Sequence, residues 1–326
     1  MSSSDAPCSA SSQSRLDLEK GPPTTAGVIA MGNLDARIEG LTWEATRERL
    51  NTDGWSELVE LTALRGHVLG RIDDAERAAA LAQAFVEQAP RDPRSLLARA
   101  RMAALFHRFS AARVDLEAAA ALGLDQRSQD DERAAICQAL GQYDEALEIH
   151  RRALSAYADF RALSGRARYH AELGDIVEAE TWFVAARRSY RGVSPFPLAV
   201  LEVQCGQRWL AHDDLIRARI WLESAAHRLP AYVPAQGHLA EIDAAEGRAA
   251  VAIERLRRLV LSSDDPHYAC QLAQLSDKSA EARFWRAHAA ARYAELVRRH
   301  PEAYADHAAE FRLTICSGER LTGRTA

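Results

Sequence analysis

A short motif that recurs about every 34 residues constrains this chain more than any other feature of its sequence. Its clearest copy runs from Leu140 to Leu147, and related copies begin at Leu69, Leu173 and Glu246. The copies align on an alanine that follows their turn residues, which gives the anchors Ala75, Ala112, Ala146, Ala179, Ala218, Ala252 and Ala282. The anchors are 30 to 39 residues apart. A regular period of this length is typical of proteins built from stacked structural units.

Small residues at fixed distances from each anchor support the alignment. Twelve positions before the anchors stand Ala63, Ala100, Ala134, Ala167, Gly206, Ala240 and Cys270, and seven positions after them stand Ala82, Ala119, Ala153, Ala186, Ala225, Leu259 and Ala289. All except Leu259 are small, as is required where two helices cross closely. Large side chains such as Tyr143 and Phe183 lie between them and are predicted to fill the seams, while Pro90 and Pro230 separate successive units.

These patterns resemble the tetratricopeptide repeat family, whose unit is a helix, a turn and a second helix. The resemblance implies an all-α protein, a right-handed α-α superhelix (a solenoid) of about seven helix-turn-helix repeats over residues 55–313. The many alanines agree with it, because alanine is the best helix former. The sequence departs from the family where a bulky aromatic residue is expected early in each first helix. Those positions hold Val59, Leu96, Asp130, Leu163, Glu202, Ala235 and Pro266.

The segments outside the repeats are predicted from their composition. Residues 1–33 are rich in Ser, Pro, Gly and Thr and are predicted to be a disordered N-terminal tail. Residues 34–54 show a short helical pattern, interpreted as a capping helix that ends in a turn at Asn51–Gly54. Residues 314–326 are predicted to be a C-terminal tail.

Charge and cysteine usage exclude several classes of function. The net charge of −5 and the pI of about 6.1 argue against a general nucleic-acid-binding protein, which normally has a basic surface. No apolar run approaches the ~20 residues of a membrane-spanning helix, so no membrane insertion is predicted. The five cysteines are far apart and form neither a disulfide framework nor a zinc motif, which favours a reducing cytoplasm.

Catalytic and metal-binding patterns are also missing from the sequence. There is no glycine-rich phosphate loop and no nucleophile elbow. His212–Asp214 is interpreted as a turn with a helix cap, and His300, His307 and Glu310 make a poor metal set that lacks a fourth ligand. Cysteines in first helices are predicted to be small packing residues: Cys137, Cys205 and Cys270. We therefore predict a protein that is not an enzyme and holds no cofactor or metal.

The resemblance also implies where a ligand binds, since the first helices of such arrays line a concave groove. The groove positions lie three and six residues before, and one and four residues after, each small first-helix residue. The candidates chosen by this rule are Arg94, Leu97, Arg101, Gln138, Arg161, Arg168, Val203, Gln207 and Leu210. Two arginine positions recur in units two and four, seven residues apart on one helix face.

Two interpretations of these candidates remain open. The arginines either bind carboxylates of an acidic partner or a C-terminus, or they form a solvated face or pair with the neighbouring Asp131 and Glu132. Val200, Val203 and Leu210 either offer an apolar pocket or are packing residues. The leading functional hypothesis is an adaptor or scaffold that binds a protein or peptide in the groove. A ligand- or peptide-responsive regulatory protein is the alternative, and a metal-handling or enzymatic helical protein is a second alternative that lacks a convergent set of titratable groups.

Overall fold

The computed structural model describes residues 21–276 and 279–317, with side chains up to residue 313. These residues form helices and no strands. The helices are α1 Gly27–Ala45, α2 Thr52–Leu69, α3 Ile72–Gln88, α4 Pro93–Leu105, α5 Phe109–Ala121, α6 Gln126–Ala139, α7 Tyr143–Ala156, α8 Phe160–Glu172, α9 Ile176–Ser189, α10 Phe196–Ala211, α11 Leu215–Arg228, α12 Val233–Ala245, α13 Ala249–Ser262, α14 Pro266–Leu275, α15 Ala280–Arg299 and α16 Pro301–Ser317. None of the helices described is long and apolar enough to cross a membrane.

Helices α2 to α15 pack as seven consecutive pairs, with α1 before the first pair and α16 after the last. The predicted all-α, right-handed α-α superhelix of about seven helix-turn-helix repeats is confirmed. The anchor alanines from Ala112 to Ala282 have no exposed surface, and only Ala75 in the first unit is partly exposed. Small residues therefore lie at the helix crossings, as the alignment predicts.

The turn inside each of units one to six places one residue in the left-handed region. Glycine occupies this position in four units, with φ of +57° at Gly70, +73° at Gly141, +78° at Gly174 and +81° at Gly247. In unit five it is held by Asp213. The predicted cap follows directly, since Asp214 accepts a hydrogen bond of 2.9 Å from the Arg217 amide and starts α11.

The N-terminal boundaries differ from the prediction. Helix α1 begins at Gly27, so residues 27–33 are helical rather than part of a tail. Packing explains this, because a Cβ on Gly27 would lie 2.6 Å from the carbonyl oxygen of Arg228, a contact that local composition does not reveal. Asn51 caps α2 by accepting a bond of 2.8 Å from Gly54, so the predicted turn is a helix start. The predicted disorder of residues 1–20 lies outside the described residues.

The C-terminal boundary also moves. Helix α16 continues to Ser317, beyond the predicted end of the array at residue 313. It packs against α15, and its Phe311 lies with Tyr293 in one small core. The remaining part of the predicted tail, residues 318–326, lies outside the described residues.

The start of the superhelix stacks on its own end. The Asp264 carboxylate, which lies just before α14, accepts bonds of 2.5 Å from the Ile72 amide and 3.0 Å from the Asp73 amide at the start of α3. A hydrogen bond of 2.7 Å joins His67 Nε2 to the Tyr232 hydroxyl. These partners are 165 to 192 residues apart in sequence. The first unit therefore rests on the loops of units six and seven, and we call this contact the seam.

The seam continues into the second unit. The His300 ring stacks on Phe106, with ring centroids 3.9 Å apart, and His300 Nε2 lies 2.8 Å from a carboxylate oxygen of Glu76. Arg108 donates a bond of 3.1 Å to the Arg299 carbonyl. These polar contacts, together with the packing of Val68 in the core around Tyr232, join the first two units to the last two. We call the concave side of the superhelix the inner face.

Candidate binding surface on the inner face

Ion pairs join the first helices of units one to four across the inner face. The Arg101 guanidinium on α4 donates bonds of 2.6 Å to Glu60 on α2 and 2.7 Å to Glu132 on α6. Partial burial opposes its charge, but the two carboxylates raise the pKa of Arg101. Arg161 on α8 forms an ion pair with Asp131 on α6. Ion pairs between side chains at or beside the inner positions thus connect each of these first helices to the next.

The predicted arginine strip is therefore mostly neutralised from within the protein. Arg94 bonds to Asp92 at 2.7 Å and to Thr52 at 2.6 Å, close to its own helix start. With Arg101 and Arg161 paired as well, three of the four arginines already have carboxylate partners. For Arg101 and Arg161, the geometry matches the interpretation in which they pair with Glu132 and Asp131.

Arg168 differs from the other three arginines. Within residues 21–276 and 279–313, its guanidinium forms no ion pair within 4.0 Å and no hydrogen bond. Its side chain is half-buried, and desolvation lowers the pKa of Arg168, with the carboxylates of Asp131 and Glu132 opposing that shift from a longer range. Because a guanidinium stays protonated in proteins, Arg168 is a half-buried positive charge that faces two paired acids.

The predicted apolar pocket does not lie on the inner surface. Leu97 and Val203 are 7% and 2% exposed and belong to the cores of units two and five. Leu210 is partly buried against the same core as Val203. Ser164, at the position equivalent to Leu97, is also buried. The position three residues before the small residue is covered in these units because neighbouring first helices pack against each other there. These are packing residues.

A chain of polar side chains continues the inner face through units five to seven. Gln207 Nε2 lies 2.7 Å from His238 Nε2, and His238 Nδ1 lies 2.9 Å from a Glu241 oxygen. Gln271 donates a bond of 2.6 Å to the other oxygen of Glu241, and His267 Nε2 lies 3.5 Å from it. Although burial opposes ionisation, the two histidines hold the pKa of Glu241 well below its usual range.

Four residues of this network were missing from the candidates but follow from the same spacing rule. Glu60, Glu241, His267 and Gln271 all stand at inner positions of units one, six and seven. Of the predicted residues, Gln138 also takes part in a polar contact, since its side-chain oxygen accepts a bond of 3.0 Å from His150 Nε2. Applying the rule to every unit would have located the four missing residues.

The described part of the chain holds no arrangement of side chains suited to binding a metal ion or to thiol chemistry. Those residues include no group of three or more His, Cys, Asp or Glu placed to hold a metal ion. His300 is engaged with Glu76 at the seam, away from the exposed His307. Burial raises the pKa of the Cys137, Cys205 and Cys270 thiols, to about 11 for Cys270. These thiols are poor nucleophiles, as the packing interpretation expects.

Comparisons with known proteins identify the fold. No protein-family model matches the sequence, and no curated protein matches it. Among solved structures, a tetratricopeptide repeat protein from Parabacteroides merdae is 16% identical, with 77% of this chain covering 93% of that one and a TM-score of 0.48. The APC/C hetero-tetramer Cut9-Hcn1 is 14% identical over 80% of this chain and 51% of the matched one, with a TM-score of 0.53.

The human IFIT1 dimer with PPP-AAAA is 16% identical over 83% of this chain and 74% of that one, with a TM-score of 0.56. This chain spans about half the length of the matched APC/C chain. At these identities the likeness concerns the fold, which is that of a tetratricopeptide-type helical repeat scaffold, and such scaffolds can bind proteins.

Proposed function

We propose that this protein is an adaptor or scaffold that holds the acidic segment, or the C-terminal carboxylate, of another polypeptide against its inner face. The observation that carries the proposal is Arg168, an inner-face guanidinium without an ion pair among the described residues. A guest carboxylate would bind it through two parallel hydrogen bonds and supply the missing counter-charge.

The rigidity of the inner face supports the same proposal. Arg101 and Arg161 are already fixed by ion pairs between neighbouring helices, so the wall around Arg168 is organised before a guest arrives. Binding to a pre-formed surface loses little conformational entropy. We place the protein in a reducing compartment such as the cytoplasm, and we assign it no catalytic activity, because its buried thiols and scattered histidines offer no reactive centre in the described residues.

A polypeptide guest is favoured over nucleic acid. The IFIT1 structure contains PPP-AAAA, so a scaffold of this shape can accompany RNA. Here, however, the net charge is −5 and the inner arginines of units two to four are paired with carboxylates, apart from Arg168. Nucleic-acid binding depends mainly on several unpaired basic groups that contact phosphates.

The test is affinity capture from a lysate of the source cells with three baits: wild type, Arg168→Gln and Arg94→Gln. Arg94 is the matched control, because it is an arginine on the corresponding face of α4 whose carboxylate partner lies two residues away. We expect wild type and Arg94→Gln to retain the same partner and Arg168→Gln to lose it, with equal helicity by circular dichroism. Capture of that partner by Arg168→Gln would refute the assignment.

A direct measurement separates the two ligand classes. Once the partner is known, its interacting peptide is measured by fluorescence anisotropy beside a version with its carboxylates changed to amides. Loss of one charge-assisted pair should weaken binding by roughly tenfold or more. A labelled 5′-triphosphate tetraadenylate serves as the nucleic-acid probe, and salt-sensitive binding of that probe in place of the peptide would overturn the choice of a polypeptide.

A ligand-responsive regulator is the second candidate, and the seam favours it. A wide guest reaches the inner face only if units one and two separate from units six and seven. That separation breaks the hydrogen bonds of the seam and the apolar packing of Val68 against the core around Tyr232. Small-angle scattering with and without the captured partner would detect that opening, and an unchanged radius of gyration would exclude it.

A further inference from the structure

A cavity of about 350 Å³ opens between α14 and α16, at the far end of the inner face. Its walls include the aromatic rings of Tyr293, Tyr304 and Phe311 and the amide side chain of Gln274. Since a water molecule occupies roughly 30 Å³ of liquid, the space is large enough for an organic group rather than a single ion. The chemistry of its walls determines which organic group fits.

Two carboxylates, those of Asp265 and Glu310, line the cavity, and its lining residues include no arginine or lysine. His267 lines it as well; burial opposes its charge, but Glu241 at 3.5 Å raises the pKa of His267, so this imidazole is engaged with an inner-face acid. Asp265 accepts a bond of 2.9 Å from the His267 amide and forms no ion pair with the described residues. This contrasts with Glu60, Asp131 and the other inner-face acids, which are paired. Because Asp265 only caps α14 and forms no ion pair within the described part of the chain, its carboxylate gives the cavity a negative electrostatic potential.

Tyr293 supplies an independent indication of a ligand. Its side chain is 6% exposed, yet its hydroxyl has no hydrogen-bond partner in the part of the chain that the structure describes. The hydroxyl oxygen keeps some solvent exposure. Because Tyr293 lines the cavity, the exposed side of this hydroxyl faces the cavity. Burial first, and then Asp265 and Glu310, raise the pKa of Tyr293, so it stays a neutral phenol. A buried phenol with an unused oxygen can accept a bond from a cationic donor.

The aromatic rings complete the arrangement. Tyr293 and Phe311 lie with ring centroids 5.1 Å apart. Elsewhere in the described chain, arginines cover aromatic faces, as Arg217 covers Trp209 at 4.3 Å, but no such arginine lies over the rings of this cavity. Ring faces beside carboxylates attract ammonium and guanidinium groups, which benefit from both the π-electrons and the negative charge.

We propose that this cavity binds an organic cation through its ammonium or guanidinium group. His267 and Gln271 belong to both the cavity and the inner face, so a polypeptide lying along that face would pass its mouth. The source of the cation is therefore a lysine or arginine side chain of the guest. Only this last step rests on the proposed function, since the cation site itself does not require a polypeptide guest.

The probe is agmatine, a small molecule that carries a guanidinium and an ammonium group, titrated into the full-length protein at low salt by calorimetry. The variant Asp265→Asn/Glu310→Gln keeps the side-chain shapes, and asparagine still caps α14. We expect agmatine affinity to fall about tenfold or more in this double variant, and about fivefold in Tyr293→Phe, which loses only the hydroxyl. Asp306→Asn, an exposed change on α16 outside the cavity, is the matched control and should bind like wild type.

Two results would overturn the proposal: no saturable agmatine binding to wild type, or equal binding to wild type and the double variant. Thermal melting of each variant excludes misfolding as the cause of a loss. The two sources of the cation are separated by competition, because agmatine displaces a guest that inserts a side chain and leaves other guests in place. If Arg168→Gln retains its partner while the agmatine results hold, the acidic-guest proposal fails and the cation site stands.

Discussion

Glu202 is a fully buried carboxylate in unit five, and its change to glutamine tests how the N-terminal segment is held. It accepts bonds from Arg187 at 2.9 Å and from Arg228 at 3.1 Å, and Arg187 is only 4% exposed. Arg228 also donates to Thr24 at 3.2 Å, while the Thr25 amide donates to the Val193 carbonyl at 2.8 Å. The buried acid therefore positions the arginine that connects the segment before α1 to α11.

The size of the effect follows from burial. Removing one partner of a buried ion pair costs about 3–5 kcal/mol, because the other charge stays buried without its counter-charge. Glutamine keeps the shape and one acceptor, so we expect the lower end of that range, about 3 kcal/mol. For a chain of this length, this corresponds to a melting temperature lower by about 4 °C. The exposed pair Arg37–Glu57 gives the matched control, since Glu57→Gln should cost no more than about 1 kcal/mol.

Hydrogen exchange provides the sharper assay, since repeat arrays lose structure locally and one melting temperature need not describe them. In Glu202→Gln, amides of α9, α10 and residues 24–27 should exchange faster, while those of α4 to α6 stay unchanged. A variant that melts within about 1 °C of wild type, with unchanged exchange at residues 24–27, would refute the argument from burial.

Two further predictions concern pH and the seam. His150 is 5% exposed, and burial together with nearby Arg168 and Arg166 lowers its pKa from 6.5 to about 4. As the pH falls, the unfolded chain therefore takes up a proton at a higher pH than the folded protein does. About 3 kcal/mol of stability that is present above pH 6.5 should be lost by pH 4. Urea unfolding should show a smaller loss in His150→Gln. Gly70 and Gly141 both have positive φ, but a Cβ on Gly70 would lie 2.7 Å from Ser263 across the seam, whereas one on Gly141 meets nothing within 4 Å. Gly141→Ala should cost about 1–2 kcal/mol of backbone strain. Gly70→Ala should destabilise the protein more and should also enlarge its radius of gyration, measured by small-angle scattering. Equal effects of the two variants would show that the seam contributes nothing to stability.

The regular part of the fold was predictable because it depends on local spacing. The alanine anchors and the glycine turns recur at positions fixed by helix geometry, so they identify the helix pairs without any tertiary information. The start of α1 was not predictable in this way. Gly27 is held against the end of α11, some 200 residues away, and the run Gly21–Thr25 just before it has the Gly, Pro and Thr content of a flexible tail.

The positions of the inner-face residues were predictable from the sequence, but which of the arginines are paired with carboxylates was not. The spacing rule places Arg101 and Arg168 on the inner face, where the structure has them, although it cannot tell which arginine meets a carboxylate. That depends on Glu60 and Glu132, which belong to neighbouring units and approach only after the superhelix forms. Likewise, Val203 satisfies the rule for a lining residue and is nevertheless covered by the next first helix.

Two of the departures from the tetratricopeptide pattern share an explanation in the structure. Two of the positions where a bulky aromatic residue is expected hold Asp130 and Glu202, and both carboxylates are buried. Asp130 accepts a bond of 3.0 Å from Arg152 on the second helix of its unit, as Glu202 does from Arg187 and Arg228. An ion pair replaces the aromatic packing and needs both partners in place, which favours one register of the helices over others. These ion pairs involve second-helix arginines, whereas Arg94, Arg101, Arg161 and Arg168 stand at inner positions of the first helices. Of these four arginines, Arg168 alone has no carboxylate partner among the described residues, which is why the proposed guest is assigned to it.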